Sequence, residues 1–173
     1  MSRGTRREPT RIGLVSDTHG WLDPALAVHF RDARLIVHAG DVDHHRVLDE
    51  LRRIATVVAV RGNADGGELR CLKPTEFIEI EGWRIVAVHD AGSPLRVQDR
   101  KREQARALVA THRAHVLVFG HTHVPMAARL DGAVWVNPGA AGHQGSHLQR
   151  TAALLEIGAD GQLQVYRIGL GPR

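Results

Sequence analysis

A chain of 173 residues, 43% hydrophobic and 24% charged, has the balance of one globular domain with a sizeable core. Its formal charge of +4 and isoelectric point of about 10.2 suit anionic partners, yet every basic residue except Lys73 and Lys101 is Arg, a bias that reads as genome composition. No aromatic residues interleave a basic run, so nucleic acid is permitted as a partner but not indicated.

Residues 1–10 read as a flexible basic tail with Arg3, Arg6 and Arg7, and they lack the apolar core of a secretory signal. The β-branched run at 12–15 is a buried strand that stops at Ser16. Asp17 and His19 follow, two residues apart. An extended backbone would point both to one side, as a pincer for a divalent metal. Gly20 turns the chain away. Asp23-Pro24 starts a helix within 21–31, with Leu26 and Phe30 on one face. A second strand at 35–37 ends in His38-Ala39-Gly40-Asp41. A helix over 44–53 follows, striped by Val47, Leu48 and Leu51. A third strand at 57–60 ends in Arg61-Gly62-Asn63-Ala64-Asp65. Strand, helix, strand, helix, strand implies a parallel sheet with right-handed crossovers, which brings Asp17, Asp41 and Asn63 to one edge.

The loop 61–74 carries Gly66-Gly67 and Cys71. A half-exposed strand at 75–80 turns at Glu81-Gly82 into a strand at 83–88, an antiparallel hairpin that ends in His89-Asp90. Gly92-Ser93-Pro94 breaks the chain. A helix over 98–111 follows, with Ala105, Leu108 and Val109 inward. The strand at 116–119 ends in Gly120-His121-Thr122-His123. Four antiparallel strands remain, at 126–130, 133–136, 151–157 and 163–168, with turns at Asp131-Gly132 and Asp160-Gly161. No repeat or linker divides residues 11–173, so a single mixed α/β domain is expected. The lone Cys71 excludes an internal disulfide and fits a reducing compartment; no run is long enough to span a membrane. A cytoplasmic protein without membrane attachment is expected, and a homo-oligomer is open.

Five apolar runs each end in metal-capable side chains, several beside a glycine. Loops at the carboxyl ends of strands are where an open α/β sheet builds its site. Scattered loop histidines would not recur at five strand ends, so a shared metal centre is the better reading.

Asp17-Thr18-His19, Gly40-Asp41, Gly62-Asn63, His89 and Gly120-His121-Thr122-His123, in that order, resemble the calcineurin-like metallophosphoesterase superfamily. The short length and Asn137-Pro138-Gly139 resemble its small bacterial and archaeal phosphodiesterase branch. The resemblance implies a four-layer αββα sandwich, two mixed β-sheets flanked by helices. It implies one metal on Asp17, His19 and His123, another on Asn63, His89 and His121, and Asp41 bridging them. Two cations roughly 3.5–4 Å apart repel, which a shared carboxylate offsets; a water or hydroxide between them can attack phosphorus in line. Mixed imidazole and carboxylate donors suit Mn2+, with Zn2+, Fe2+ and Ni2+ as alternatives. The implied activity is hydrolysis of a small phosphodiester. The alternatives are a phosphomonoesterase or protein phosphatase, or a non-catalytic scaffold like the retromer subunit of the same fold.

Other residues have secondary expectations. Asn63 and His143 are candidate substrate contacts, His143 from the glycine-rich loop that borders the site in similar proteins. His38 supports the donors from behind. Asp43, His44 and His45 make a solvated helix start beside the metals. His112 and His115 favour a helix dipole. Two departures stand out. Many superfamily members carry a histidine where this chain has Ala64, although Asp65, its usual partner, remains. Asp90 replaces a common glycine and could orient His89, bind solvent or repel an anion.

Overall fold

The computed structural model describes residues 8–92, 99–145 and 148–173. The expectations for Arg3, Arg6 and Arg7, for Ser93-Pro94 and for position 98 lie outside them. In chain order the elements are β1 (Thr10–Val15), α1 (Ala25–His29), β2 (Leu35–His38), α2 (His45–Arg52), β3 (Thr56–Ala59), β4 (Thr75–Ile80) and β5 (Trp83–Val88). Then come α3 (Arg100–His112), β6 (Val116–Val118), β7 (Met126–Leu130), β8 (Ala133–Asn137), β9 (Gln149–Ile157) and β10 (Leu163–Pro172).

Two five-stranded sheets form, in the orders β10-β9-β1-β2-β3 and β4-β5-β6-β8-β7. Strands β1, β2 and β3 are parallel, as the strand–helix alternation requires. The hairpins β4–β5, β7–β8 and β9–β10 are antiparallel, but β8 also runs parallel to β6, with Leu117 opposite Trp135. The last four strands therefore divide between the sheets: β7 and β8 extend the second, while β9 returns to pair with β1.

The side-chain alternation explains the layering. Ile12 and Leu14 of β1, Val37 of β2, Ile85 and Ala87 of β5, and Val116 and Val118 of β6 meet between the sheets. The alternate residues Val15 and Ile36 pack outward against Leu26, Phe30, Val47, Leu48 and Leu51 of the α1 and α2 regions. On the other side Val86, Val88, Leu117 and Trp135 meet Ala105 and Val109 of α3. Three apolar interfaces make four layers, the αββα sandwich. Helix α1 is shorter than its sequence pattern, closing at Phe30, whose ring fills the space left by Gly13 in β1. Leu108 packs against the edge of the cluster under α3 and stays half-buried. Among the described residues no helix is long and apolar enough to cross a membrane.

Candidate metal centre

Loops at the carboxyl ends of β1, β2, β3, β5 and β6 bring all seven expected donors together. The two sheets touch there, where the His121 backbone N–H donates to Asp17 Oδ2 at 3.1 Å. On one side, single donor atoms of Asp17, His19 and His123 lie within 4.8 Å of one another. On the other, Asn63 Oδ1 stands 3.0 Å from His89 Nε2 and 3.0 Å from His121 Nδ1. Asp41 lies between: donor atoms of Asp17, Asp41 and His89 are also within 4.8 Å of one another, with Asp41 Oδ2 3.4 Å from His89 Nε2 and Oδ1 accepting the Ala64 N–H at 2.8 Å. Asp41 comes this close to the next loop because Gly62 has no side chain; a Cβ there would stand 2.1 Å from Asp41 Oδ1.

The donors point inward for a reason the sequence pattern does not carry. Asp17 and His19 are not extended: their φ angles are 53° and 47°, in the left-handed region. The same alternation recurs at Asp41 and Asp43 (55° and 63°) and at His121 and His123 (64° and 59°). Left-handed backbone costs a non-glycine residue about 1–2 kcal/mol. Three loops at three strand ends thus hold six such residues, and strain of this kind collects at functional sites.

Support from behind sets the ring tautomers. His89 Nδ1 donates to the Ala39 carbonyl at 2.7 Å, which leaves Nε2 as the free donor atom. His19 Nδ1 does the same to Asp43 Oδ2 at 3.0 Å. His38 is wholly buried; its Nδ1 accepts the Gly40 N–H and its Nε2 donates to Thr18 Oγ1. Burial drives its pKa down to about 4, against the pull of Asp65 and Asp17, so it is a neutral strut, as expected. Burial would raise the Asp41 carboxyl, but His89 and the Ala64 N–H overcome it and hold it at about 2. Burial also opposes a proton on His89, yet Asp41 and Asp17 outweigh it and raise its pKa.

These donors fit divalent cations. Asp17 Oδ1 is buried and receives no hydrogen bond, although His123 Nε2 stands 3.1 Å away out of bonding alignment. An unsatisfied buried carboxylate oxygen is costly, and a cation would satisfy it. The carboxylates also draw a proton onto His89, which a metal would displace.

Residues 10–160 match the calcineurin-like phosphoesterase superfamily domain. The chain belongs to that superfamily. It is 35% identical over 134 residues to a probable metallophosphoesterase of Methanothermobacter thermautotrophicus, covering 75% of this chain and 76% of the relative. It is 27% identical over 149 residues to a phosphodiesterase of Methanocaldococcus jannaschii, covering 75% and 82%. Among solved structures, a single mutant of Vps29 from Entamoeba histolytica superposes with a TM-score of 0.72 at 22% identity, covering 92% and 99%. That likeness is one of fold.

The superfamily departures can now be placed. Asp65 does not wait for an imidazole: Oδ1 accepts the N–H groups of Val42 and Asp43, and Oδ2 those of Asp41 and Gly62, at 2.7–3.1 Å. It fastens the Asp41 loop to the Asn63 loop. Asp90 Oδ1 accepts the Gly92 N–H at 2.9 Å, a turn role that sequence reasoning missed. Asp43 neither crowds the donors nor merely starts a helix: it braces His19, and its place two residues after Asp41 is the available signal. His44 caps α2 by accepting the Arg46 N–H, and His45 lies between Glu68 and Asp49 at 3.4 and 4.0 Å. The ring of His143 rests on Trp21 with centroids 4.1 Å apart, and no described hydrogen bond joins it to the seven donors. His115 serves no helix dipole, because its Nδ1 accepts the Arg84 N–H at 3.0 Å. Cys71 is an exposed thiol at the end of a 3-10 helix, Gly67–Cys71, within the expected loop.

Proposed function

We propose that this superfamily member is a phosphodiesterase that works with two divalent cations. Asp17, His19 and His123 would hold one, Asn63, His89 and His121 the other, with Asp41 shared. Bound cations would lower the pKa of water and offset charge on the phosphoryl oxygens. The chain's own residues do the rest. His89 and His19 are kept in the ligating tautomer by Ala39 and Asp43, and Asp65 keeps the Asp41 and Asn63 loops in register. The observation that carries the reading is that Asp17, His19 and His123 form one close group of donor atoms and Asp17, Asp41 and His89 a second beside it.

A diester is favoured over a monoester by the space next to the donors. A cavity of about 450 Å³ opens beside Asn63, His89 and His121, large enough for a second ester substituent that a monoester lacks. The diesterase among the relatives points the same way.

The test starts from metal-stripped protein titrated with Mn2+, Zn2+, Fe2+ or Ni2+. Hydrolysis of bis(4-nitrophenyl) phosphate and 4-nitrophenyl phosphate is followed. Turnover should need two equivalents of metal and favour the diester. Full activity at one equivalent would remove the second cation, and a preference for the monoester would make the chain a phosphomonoesterase. No hydrolysis of either ester with both sites filled would favour the scaffold reading.

A further inference from the structure

The cavity beside the donors has a second chemistry in its lining. One wall is a single face of α3: Lys101, Gln104, Ala105 and Leu108 follow the i, i+3, i+4, i+7 spacing. That face is polar near the helix start and apolar further along. Leu108 packs against the core cluster under α3 but stays half-buried, and it also lines this cavity. Arg61 comes from the loop after β3, just before the Gly62-Asn63 pair. Neither Arg61 nor Lys101 has an ion-pair partner among the described residues, so both charges are available to a ligand. Arg61 does donate to the Arg70 carbonyl at 3.2 Å. Asp90 is the one carboxylate in the lining, and its Oδ1 is already bound by the Gly92 N–H. Two cations against one carboxylate leave the described lining net positive.

We propose that this cavity is a specificity subsite for the ester substituent that stays on phosphorus, and that it selects a substituent carrying a second anionic group, a carboxylate or phosphate, held by Arg61 and Lys101. The proposal rests on the diesterase reading above. The phosphorus would sit among the donors, the apolar body against Ala105 and Leu108, and the second anion between the two cations. The volume suits a body of aryl or nucleoside size. Both cations are exposed, so each contributes modestly and their attraction is screened by salt.

Binding tests this apart from turnover. Phenyl phosphate, 3-carboxyphenyl phosphate and 1,3-phenylene bisphosphate are titrated calorimetrically into metal-loaded protein. The doubly anionic ligands should bind about five- to tenfold tighter than phenyl phosphate. The tighter of the two identifies carboxylate or phosphate as the better match. The preference should shrink in Lys101→Met, which disturbs no described contact, vanish in the Arg61→Met/Lys101→Met double variant, and fade between 0.05 and 0.5 M NaCl. Equal affinities in the parent, or a preference that survives in the double variant, would overturn the subsite. Turnover of 4-nitrophenyl phenyl phosphate and its 3-carboxyphenyl analogue separates the two readings. If neither is hydrolysed while the binding preference holds, the diesterase reading falls and the subsite stands. If both are hydrolysed at equal kcat/KM and the ligands bind equally, the subsite alone falls.

Discussion

Beneath the donors, Asp65 accepts four backbone N–H groups and His38 uses both ring nitrogens. In the cavity next to them, Arg61 and Lys101 have no carboxylate partner among the described residues and Leu108 stays half-buried. The first region is satisfied and fixed; the second is open and unmatched. Donors that must hold strained backbone angles need rigid support, because any slack would relax the left-handed residues and misaim the side chains. A subsite that must admit and release different substituents gains nothing from internal pairing, since a paired cation offers little to a ligand. The contrast predicts that changes in the floor damage chemistry and stability, while changes in the cavity alter only selection.

The largest effect is expected from Asp41→Asn. Asn keeps the size, tolerates the left-handed φ of 55°, and retains an oxygen for the Ala64 N–H. It loses the charge that two cations share. Turnover should fall about a thousandfold or more, as expected for several kcal/mol of lost charge stabilisation. The melting temperature of the metal-free protein should change little, because the carboxylate mainly serves the cations. Near-normal turnover at saturating Mn2+ would take Asp41 out of the shared position.

Asp65→Asn tests the floor itself. An amide offers one oxygen where the carboxylate offers two, so two of the four N–H groups lose their acceptor and face an NH2 instead. Orphaned buried donors cost about 1–3 kcal/mol each. For a chain of this size the metal-free melting temperature should drop by roughly 5–15 °C. A drop under about 2 °C would mean that the loops are held elsewhere.

Much of this floor was legible in part only. The five strand ends stood out because each apolar run stops at a metal-capable residue, and an α/β sheet gathers such ends on one edge. Strand–helix alternation through β3 forced a parallel arrangement, and the turn residues marked the hairpins. What stayed hidden depends on neighbours distant in the chain. Asp17 and His19 are left-handed because Asp17 N–H and His19 N–H bond to Gly40 and Asp41 carbonyls in the next loop. No local pattern encodes that. Strand β8 joins β6 in parallel only because the second sheet has a free edge there, which no hairpin signal reveals. The family resemblance makes Asp65 the partner of a missing histidine, whereas its real partners are backbone groups, which leave no trace in residue identity.

Asp43→Gly should act next in size. Glycine keeps the left-handed backbone at φ 63° and deletes the carboxylate that orients His19. Loss of such a brace typically costs 10–100-fold in metal affinity. Competition with a chelator should show about that loss for one of two metal equivalents and none for the other. Asp43→Asn, whose oxygen can still accept from His19 Nδ1, should recover much of it. Equal weakening of both equivalents would mean that Asp43 acts on the whole centre through the loop rather than on His19.

The smallest effect is expected at the junction of the two regions, from Ala64→His. The family resemblance implies that restoring the superfamily histidine should help poor leaving groups, with Asp65 orienting the new ring. The structure removes the orienting partner: a carboxylate has about four acceptor positions, and backbone N–H groups fill all four on Asp65. Ala64 is exposed and lines a shallow cavity with Asp43, His45 and Glu68, so an imidazole there has solvent and other carboxylates to follow. A well-placed general acid contributes about 10²–10⁴-fold, most when the leaving oxygen is basic. Without a fixed ring the gain on alkyl diesters should stay under about tenfold. Plots of log kcat/KM against leaving-group pKa should then run nearly parallel for parent and variant. A clear flattening in the variant, a hundredfold or more at the basic end, would show that Asp65 can release backbone N–H groups to hold the ring, and the floor would be less rigid than its hydrogen bonds imply.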